Sequence, residues 1–442
     1  MTKPTPGALD GVRVVDLTQF VLGPYATQTL GDLGADVIKI EAPSGDRQRT
    51  SGKAPRSKTM GPLFVALNRN KRSVVLDLTA EPGRRALRRL IKTADIFIHN
   101  MRPETIARLG FSYDAVAAVK PDIVYVEAMG YAPEGPYAGR QAFDDLIQAA
   151  SGACGLEALV SPGAPLRPVP SIIADKTCGL FAVIASLAAL RHKERTGEGQ
   201  YVAVPMLETF TGFIMAEHLY GETFVPATGH FGHTTTITPY RKPLKTLDGW
   251  LMIMPANREQ AARFLALGGI PDAYESERFL GSEGAPARVA AYNAMLEEAA
   301  ATRSTAAWMD LCAKHSIPVM VANQAREILT DPQLSQTLFE ERVLEGEGVY
   351  RAMKPGLRFA RTPAAIRREP PSLGRDTREV LAELGVTSDE AREAVGGAPG
   401  LAPPSPGRAY SHFSTSRPPP CAPSLTALRA APPPPRRGAG EE

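Results

Sequence analysis

The sequence predicts an α/β protein with a large, doubly wound parallel-sheet domain and a second, smaller domain. A strand, a helix and another strand fit within the first 41 residues, and strand and helix patterns keep alternating to about residue 150. A hairpin pattern and a mostly helical stretch come later, from about residue 240 to residue 323. Strands that alternate with helices indicate parallel pairing, because each return to the sheet needs a crossover.

The first strand–helix–strand unit has the clearest pattern. Residues 12–17 read as a buried strand, Gly23-Pro24 opens a helix that Gly34 ends, and residues 36–41 form the next strand. The glycines of this unit do not have the G-x-G-x-x-G spacing, which disfavours a nicotinamide or flavin enzyme.

The alternation then continues in order along the chain. We expect strands at 73–78, 95–99, 123–127 and 201–204, and helices at 81–93, 103–109, 143–150 and from 206 towards 220. We expect a hairpin around Asp248-Gly249, helices over 258–323, and short extended pieces with a last helix over 357–384. In a doubly wound sheet, ligands bind at the carboxyl ends of the strands.

These patterns divide the chain into three parts. Residues 1–225 would form the large domain, with a returning segment at about 335–395, and residues 226–334 would form a small α+β domain. Residues 396–442 are rich in Pro, Ser, Arg, Ala and Gly. Such a segment buries too little apolar surface to offset the entropy of ordering, so we expect a disordered tail.

Composition disfavours several classes of protein. The 442 residues carry a net charge of +3 with 43% hydrophobic and 22% charged residues, which is typical of a soluble globular protein and not of a nucleic-acid-binding one. The longest apolar run, 180–190, is too short to span a bilayer, and the N-terminus lacks a signal-peptide pattern. Four widely spaced cysteines fit neither a disulfide framework nor a metal site. We therefore expect a cytoplasmic protein that binds neither membrane nor nucleic acid.

One carboxylate stands out at a predicted helix start. A strand-like piece at 170–174 leads to Asp175, and an apolar helix follows. An Asp at such a position commonly caps the first free amide groups of the helix. It can also act as a nucleophile, with the neighbouring amides as oxyanion donors. The local residues leave both roles open.

Several further stretches occur together in a fixed order. They are LDGVRVVD at 9–16, GDLGADVIKIE at 31–41, NRNKRS at 68–73, NMRP at 100–103, RLG at 108–110, GPY at 135–137, the Asp175 stretch, and GEGQ at 197–200. In these stretches the chain resembles the class III CoA-transferases, also called the CaiB/BaiF family, from about residue 9 to residue 385. This group contains formyl-CoA transferase, carnitine CoA-transferase and the alpha-methylacyl-CoA racemases.

The resemblance implies a fold, a reaction and an assembly. It implies a Rossmann-like large domain, an interlocked homodimer, and CoA thioesters as substrates without a further cofactor. In that family the carboxylate matching Asp175 attacks the donor thioester, and a mixed anhydride and then an enzyme–CoA thioester follow. We therefore expect a CoA-transferase that moves CoA from an acyl-CoA, such as succinyl-CoA, to a free carboxylic acid.

The family's motifs also imply site residues. The expected CoA- or substrate-binding residues are Asn100, Met101, Arg102, Arg108, Lys71, Arg72, Phe20 and Val21. Basic side chains suit the phosphates of CoA, although a solvated surface charge is the alternative for each Lys and Arg. Asp144, His230 and His233 are further candidates close to the site.

Two departures from the family bear on the substrate. Val21 stands where formyl-CoA transferase has a Gln, and residues 228–233, which include His230 and His233, replace its flexible Gly-run loop. Oxalate and formate are therefore disfavoured as substrates.

Two alternatives remain open at this point. A 2-methylacyl-CoA racemase or epimerase would need a His where this chain has Phe143, and Phe cannot take an α-proton. A CoA-binding protein without activity, with Asp175 as a helix cap, is the alternative from another class. No histidine pair has a metal-ligand arrangement with carboxylates, so we expect no metal.

Overall fold

The computed structural model describes residues 5–396 of the chain. The strands are β1 (Arg13–Asp16), β2 (Asp36–Glu41), β3 (Lys71–Val75), β4 (Ile96–His99), β5 (Val124–Met129), β6 (Gln200–Pro205), β7 (Leu244–Lys245), β8 (Trp250–Ile253), β9 (Val319–Val321), β10 (Phe339–Leu344) and β11 (Gly348–Met353). The α-helices are α1 (Leu22–Asp32), α2 (Pro62–Leu67), α3 (Glu81–Ile91), α4 (Pro103–Arg108), α5 (Tyr113–Val119), α6 (Asp144–Ala150), α7 (Leu156–Val160), α8 (Ile173–Thr196), α9 (Met206–Ile214), α10 (Arg258–Leu267), α11 (Glu277–Leu280), α12 (Gly284–Ala300), α13 (Thr305–Lys314), α14 (Leu334–Thr337), α15 (Thr377–Glu383) and α16 (Ser388–Ala394). Short 3₁₀ helices occur at Arg47–Thr50, Ala153–Gly155, Tyr220–Thr223 and Glu327–Leu329.

A six-stranded sheet with the order β3-β2-β1-β4-β5-β6 lies at the centre. All of its neighbouring strands pair in parallel; Val14 of β1, for example, is in register with Val37 of β2 and Ile96 of β4. The strand order reverses beside β1, where β2 and β3 lie to one side and β4 to β6 to the other. The predicted α/β architecture with a parallel sheet is confirmed.

Helices cover both faces of this sheet. On one face, Phe97 and Tyr125 share an apolar layer with residues of α3 and with Val380 and Leu381 of α15. On the other face α1 and α8 pack against the strands. Apolar residues fill both faces because parallel strands with crossover helices are buried on both sides.

A second apolar core lies later in the chain. Trp308 and Phe264 are buried in it, with ring centroids 4.4 Å apart. The antiparallel strands β7-β8-β9 form its sheet, and α10, α12 and α13 supply most of the remaining core residues. The strands β10 and β11 form a separate antiparallel hairpin.

Several elements differ from the sequence expectations. The strand-like piece expected at 170–174 is wrong, because α8 already begins at Ile173. The helix after β6 ends at Ile214, well before residue 220. Residues 339–353 form an unexpected hairpin, and residues 357–376 contain no strand. The expected tail at 396–442 lies outside the described residues except for Gly396.

One described helix, α8, is long and apolar enough to cross a membrane by length and composition. Half of its most apolar window is buried inside the fold. The same helix carries Asp175 in its first turn.

Candidate active site

Asp175 is the third residue of α8 and does not cap it. The N-cap residue is Ile172, and no side chain caps this helix end through that position. One turn later, a Cβ on Gly179 would lie 2.7 Å from the carbonyl oxygen of Leu22. The start of α1 therefore approaches the first turns of α8 more closely than any other residue at 179 would allow.

Asp144 reaches the same helix start from α6. Its Oδ1 accepts a hydrogen bond from the backbone N–H of Asp175 at 3.0 Å, and its Oδ2 accepts one from Nε2 of Gln148 at 2.6 Å. The structure thus brings two carboxylates, Asp144 and Asp175, to one place, although they are 31 residues apart in the chain.

Gln148 is fully buried and holds the segment that leads into α8. Its Oε1 accepts the N–H of Val169 at 2.8 Å, and its Nε2 also donates to the carbonyl oxygen of Ser171 at 3.1 Å. These bonds imitate the pairing of a β-ladder, which explains how an irregular segment keeps a fixed path here.

The surroundings of Asp175 change its acidity. Burial raises the pKa of Asp175 to about 7, the negative charge of Asp144 adds to the rise, and the backbone of Leu22 opposes it. A carboxyl with such a pKa exchanges its proton readily at neutral pH, which is a feature of functional sites.

A cavity of about 1110 Å³ opens beside Asp175. Its walls are the segments that follow β1, β2, β4 and β5, together with residues 168–172, Asp175 and Met206. These loops lie at the carboxyl ends of parallel strands, where doubly wound sheets bind their ligands. Leu22, Ala128 and Met206 give the cavity an apolar part.

Three arginines line this cavity, and none has an ion-pair partner within residues 5–396. They are Arg47, Arg102 and Arg140. The Arg47 guanidinium lies 5.9 Å from the ring centroid of Phe20, and the Arg140 guanidinium lies 4.5 Å from that of Tyr137. Unpaired guanidinium groups in a cavity suit an anionic ligand such as a phosphate ester.

Many of the residues expected from the sequence line this cavity. They are Asp175, Asp144, Asn100, Met101, Arg102, Phe20 and Val21. The side-chain amide of Asn100, however, is already engaged: Oδ1 accepts the N–H of Gln19 at 2.9 Å and Nδ2 donates to its carbonyl oxygen at 2.8 Å.

Lys71 lies elsewhere, inside the protein. It is fully buried, and its Nζ lies 3.2 Å from Oδ2 of Asp16 and 2.8 Å from Oδ1 of Asn68. Burial lowers the pKa of Lys71 to about 8, although the Asp16 carboxylate acts in the opposite sense. Its ammonium group therefore holds strands together within the fold and does not line the cavity.

Arg72 and Arg108 are also outside the cavity wall. Arg72 pairs with Asp36 and Glu383, each at 2.6 Å, near the amino ends of β2 and β3. Arg108 is exposed in the last turn of α4.

The two candidate histidines lie close to each other but not in the cavity wall. The ring centroid of Tyr220 is 5.6 Å from that of His230 and 5.4 Å from that of His233. Among the residues that the structure describes, no group of His, Cys, Asp and Glu is placed to hold a metal ion.

His99 supports the cavity from below. Its Nε2 lies 2.8 Å from the hydroxyl of Tyr125, and its Nδ1 accepts the N–H of Met101 at 3.3 Å. Burial lowers the pKa of His99 to about 4, so the ring is neutral and its hydrogen bond fixes the backbone of a cavity residue.

Sequence reasoning missed Gln148, Arg47 and Arg140. Gln148 is four residues after Asp144 on the same helix, a spacing that puts both on one face. That spacing was the one available signal. Arg47 begins a short 3₁₀ helix and Arg140 lies in a loop, and the positions of both segments depend on the folded sheet.

Comparisons with known proteins all point to one family of enzymes. Residues 9–377 match the sequence model of CoA-transferase family III. The succinyl-CoA:glutarate CoA-transferase of Mus musculus is 30% identical over 383 residues, which is 85% of this chain and 86% of that protein. The acetyl-CoA:oxalate CoA-transferase of Acetobacter aceti is 30% identical over 80% of this chain and 90% of its own length.

Solved structures agree with the sequence matches. The crystal structure of a CaiB/BaiF family protein from Brucella suis superposes with a TM-score of 0.73 at 30% identity, and the match covers 86% of this chain and 100% of that one.

Proposed function

The chain belongs to CoA-transferase family III and is a CoA-transferase; on that premise we propose that it moves CoA from succinyl-CoA or a similar donor to a free carboxylic acid, with Asp175 as the nucleophile. The observation that carries this proposal is the Asp175 carboxyl itself. It lines the cavity at the start of a helix, and burial together with Asp144 raises its pKa to about 7. Desolvation of a carboxylate increases its reactivity towards a thioester.

The proposed reaction begins with attack of an Asp175 oxygen on the thioester carbonyl carbon. The carbon–sulfur bond breaks, CoA leaves as a thiolate, and the acyl group stays on Asp175 as a mixed anhydride. The thiolate then attacks the Asp175 carbonyl carbon and releases the donor acid, which leaves an enzyme–CoA thioester.

The acceptor carboxylate reverses the sequence. It attacks the enzyme–CoA thioester, forms a second anhydride and frees the thiolate. The thiolate attacks the acceptor's carbonyl carbon, so that a new acyl-CoA leaves and Asp175 is regenerated. Each acyl transfer passes through a tetrahedral oxyanion, and the positive end of the α8 helix dipole beside Asp175 is suited to stabilise it.

The substrate assignment rests on the relatives and on the cavity. Relatives from mouse, Agrobacterium fabrum and human, each about 30% identical, are named as transferases between succinyl-CoA or succinate and glutarate. We propose that Met101 and Arg102 contact the CoA portion, because both line the cavity. Arg108, His230 and His233 stay predictions.

Racemase activity is disfavoured by the same geometry. Phe143 stands in the cavity wall with 57% of its surface exposed, where a racemase would need a proton-accepting histidine.

We also propose that two copies of the chain associate. Large apolar side chains of α8 face outwards, namely Leu180, Phe181 and Ile184, and Phe224 and Val225 are 62% and 98% exposed. Soluble monomers rarely expose so many large apolar groups, and a second copy would cover them. Light scattering that gives the mass of one chain would contradict this.

Three free cysteines within residues 5–396, two of them buried, fit a reducing compartment, and we propose a cytoplasmic location on that basis.

The test of the reaction is intact-protein mass spectrometry after mixing with succinyl-CoA, with and without hydroxylamine. We expect an acyl or CoA adduct that hydroxylamine converts to a hydroxamate on Asp175. Asp175→Ala should form none, whereas Asp310→Ala, a change at an exposed Asp in α13, should behave as the wild type. Equal results for the wild type and Asp175→Ala with several donors, together with tight CoA binding, would instead support a CoA-binding protein without activity.

A further inference from the structure

The loop between β1 and α1 is held in place at Thr18, whose N–H and carbonyl oxygen are both hydrogen-bonded to buried side chains. Thr18 donates its N–H and hydroxyl to Oδ1 of Asp16 at 2.8 and 2.5 Å, and its carbonyl oxygen accepts Nζ of Lys39 at 2.7 Å. All three residues are fully buried. The path of the chain into the loop is therefore set by groups in the core of the sheet.

Asn100 fixes the next residue of the loop. Its side-chain amide pairs with both backbone groups of Gln19, accepting from the N–H and donating to the carbonyl oxygen. A side chain that pairs with both groups of one residue acts as a short piece of β-ladder. Asn100 belongs to the loop after β4, so this pairing joins two neighbouring walls of the cavity.

The turn that follows falls on a residue poorly suited to it. Phe20 has a φ of +67°, the left-handed region that a residue with a Cβ disfavours. Immediately after it, the carbonyl oxygen of Val21 accepts the N–H of Tyr25 as α1 begins. The backbone therefore turns at Phe20, between the hydrogen-bonded residues 18–19 and the start of α1.

This change of direction places the start of α1 at the nucleophile. Leu22 packs so closely on α8 that a Cβ on Gly179 would lie 2.7 Å from its carbonyl oxygen. Leu22 and Asp175 line the same cavity, and the Leu22 backbone favours the ionised form of the Asp175 carboxyl.

We propose that Asn100 is a positioning residue, which holds the 17–21 loop in its left-handed turn so that the backbone at Leu22 faces the Asp175 carboxylate, and that its amide is not a CoA contact. This inference rests on the proposed role of Asp175. If Asn100 positions this loop, changing it alters the reactivity of the Asp175 carboxylate and leaves the affinity for CoA unchanged.

The test places Asn100→Ala in three backgrounds: wild type, Phe20→Gly and Phe20→Ala. Both changes at residue 20 remove the ring, but only glycine adopts a positive φ without cost. We expect Asn100→Ala to lower kcat about tenfold in the wild type, to change KM for succinyl-CoA less than about twofold, and to move the acid limb of the pH–rate profile to higher pH. The factor by which Asn100→Ala lowers kcat should be about fivefold smaller in the Phe20→Gly background than in the Phe20→Ala background. Glycine adopts the left-handed conformation without strain, so the turn depends less on the hydrogen bonds from Asn100.

The opposite pattern would overturn the inference. If Asn100 contacts CoA, Asn100→Ala should raise KM at an unchanged kcat, and by the same factor in all three backgrounds. Calorimetry with free CoA separates this result from a failure of the proposed reaction, since it needs no turnover. An unchanged Kd supports the positioning role, and a Kd at least tenfold weaker contradicts it. Asn100→Asp, which keeps the acceptor for Gln19, replaces Asn100→Ala if thermal melting shows the latter to be unfolded.

Discussion

A hydrogen bond of 3.0 Å joins Oδ1 of Asp144 to the backbone N–H of Asp175. The bond keeps two carboxyl groups at the first turn of α8, and neither has a cationic side chain in an ion pair with it among residues 5–396. The negative charge of Asp144 therefore acts directly on the protonation of Asp175.

Asp144→Asn should make Asp175 more acidic. Part of the rise in the pKa of Asp175 comes from the Asp144 charge, so its removal should move the acid limb of kcat/KM from near pH 7 to lower pH. A pH–rate profile with succinyl-CoA measures this. Asp145→Asn, which changes the exposed neighbour on the same helix, should move the limb less because water screens that charge. An acid limb that stays in place in Asp144→Asn would contradict the coupling.

Asp175→Asn should stabilise the protein in a pH-dependent way. Folding raises the pKa of this carboxyl from 3.8 to about 7. Between these two pH values the carboxyl is ionised in the unfolded chain but protonated in the folded protein, so the free energy of unfolding falls as the pH rises. This loss of stability is absent below pH 3.8 and complete above about pH 7. We expect similar free energies of unfolding at pH 4 and an advantage of about 2–4 kcal/mol for the variant at pH 8.

Urea unfolding at pH 4, 6 and 8 measures this difference. Asp310→Asn serves as the control, because its side chain is exposed. A stabilisation of Asp175→Asn that is the same at all three pH values would show that the carboxyl keeps an ordinary pKa.

Gln148→Leu should damage both the fold and the reaction. The variant leaves the Val169 N–H and an Asp144 oxygen without their buried partner, which costs about 2–4 kcal/mol. We also expect a lower kcat, since the segment before α8 loses its anchor. Gln336→Leu, at an exposed position of α14, should change stability by no more than about 0.5 kcal/mol. Equal stability of the two variants would refute the anchoring role.

Gly179→Ala should destabilise the contact of α1 with α8. The new Cβ would lie 2.7 Å from the carbonyl oxygen of Leu22, so one helix must shift, at a cost of about 1–3 kcal/mol. Gly212→Ala in α9 is the matched control: no atom lies within 4 Å of its Cβ, and alanine should add up to about 1 kcal/mol. The midpoint temperature of thermal unfolding should fall for Gly179→Ala and rise for Gly212→Ala. A change in the same direction for both variants would contradict the close contact at Gly179.

Lys71→Met should lower the stability of the protein, whereas Arg102→Met should weaken substrate binding. Lys71→Met removes the ion-pair partner of the buried Asp16 carboxylate, which keeps only its hydrogen bonds from Thr18 and Thr27, so we expect a loss of about 3–5 kcal/mol in stability. Arg102 lines the cavity and is exposed, so Arg102→Met should keep its stability and raise KM for succinyl-CoA. Denaturant unfolding together with steady-state kinetics separates the two. A stable Lys71→Met with a raised KM would instead place its ammonium group on the substrate.

Elements whose pattern depends on local periodicity could be predicted from the sequence. The unit β1-α1-β2 is such a case, because its apolar runs and Gly34 mark buried strands and a helix end. The start of α8 could not be predicted in this way. Ile172 and Ile173 look like a strand, but Gln148 and Asp144, which are distant in sequence, hold this segment in the path that opens the helix.

The site was predictable only where a motif singled out one residue. Asp175 is such a residue, and Met101 and Arg102 also line the cavity. Lys71 and Arg72 show the limit, because a basic residue in a motif has the same letter whether it meets a phosphate or a buried carboxylate. The hairpin of β10 and β11 was missed because its many charged residues hide the apolar alternation.

All residues that line the cavity lie between positions 19 and 206, and most of them belong to loops at the carboxyl ends of the strands. Such loops tolerate exchange, because the apolar layers beneath them supply the stability. A library of substitutions aimed at the walls of this cavity can therefore leave the apolar layers of the sheet unchanged. Such a library needs to cover only the first half of the sequence, because the cavity-lining residues end at Met206.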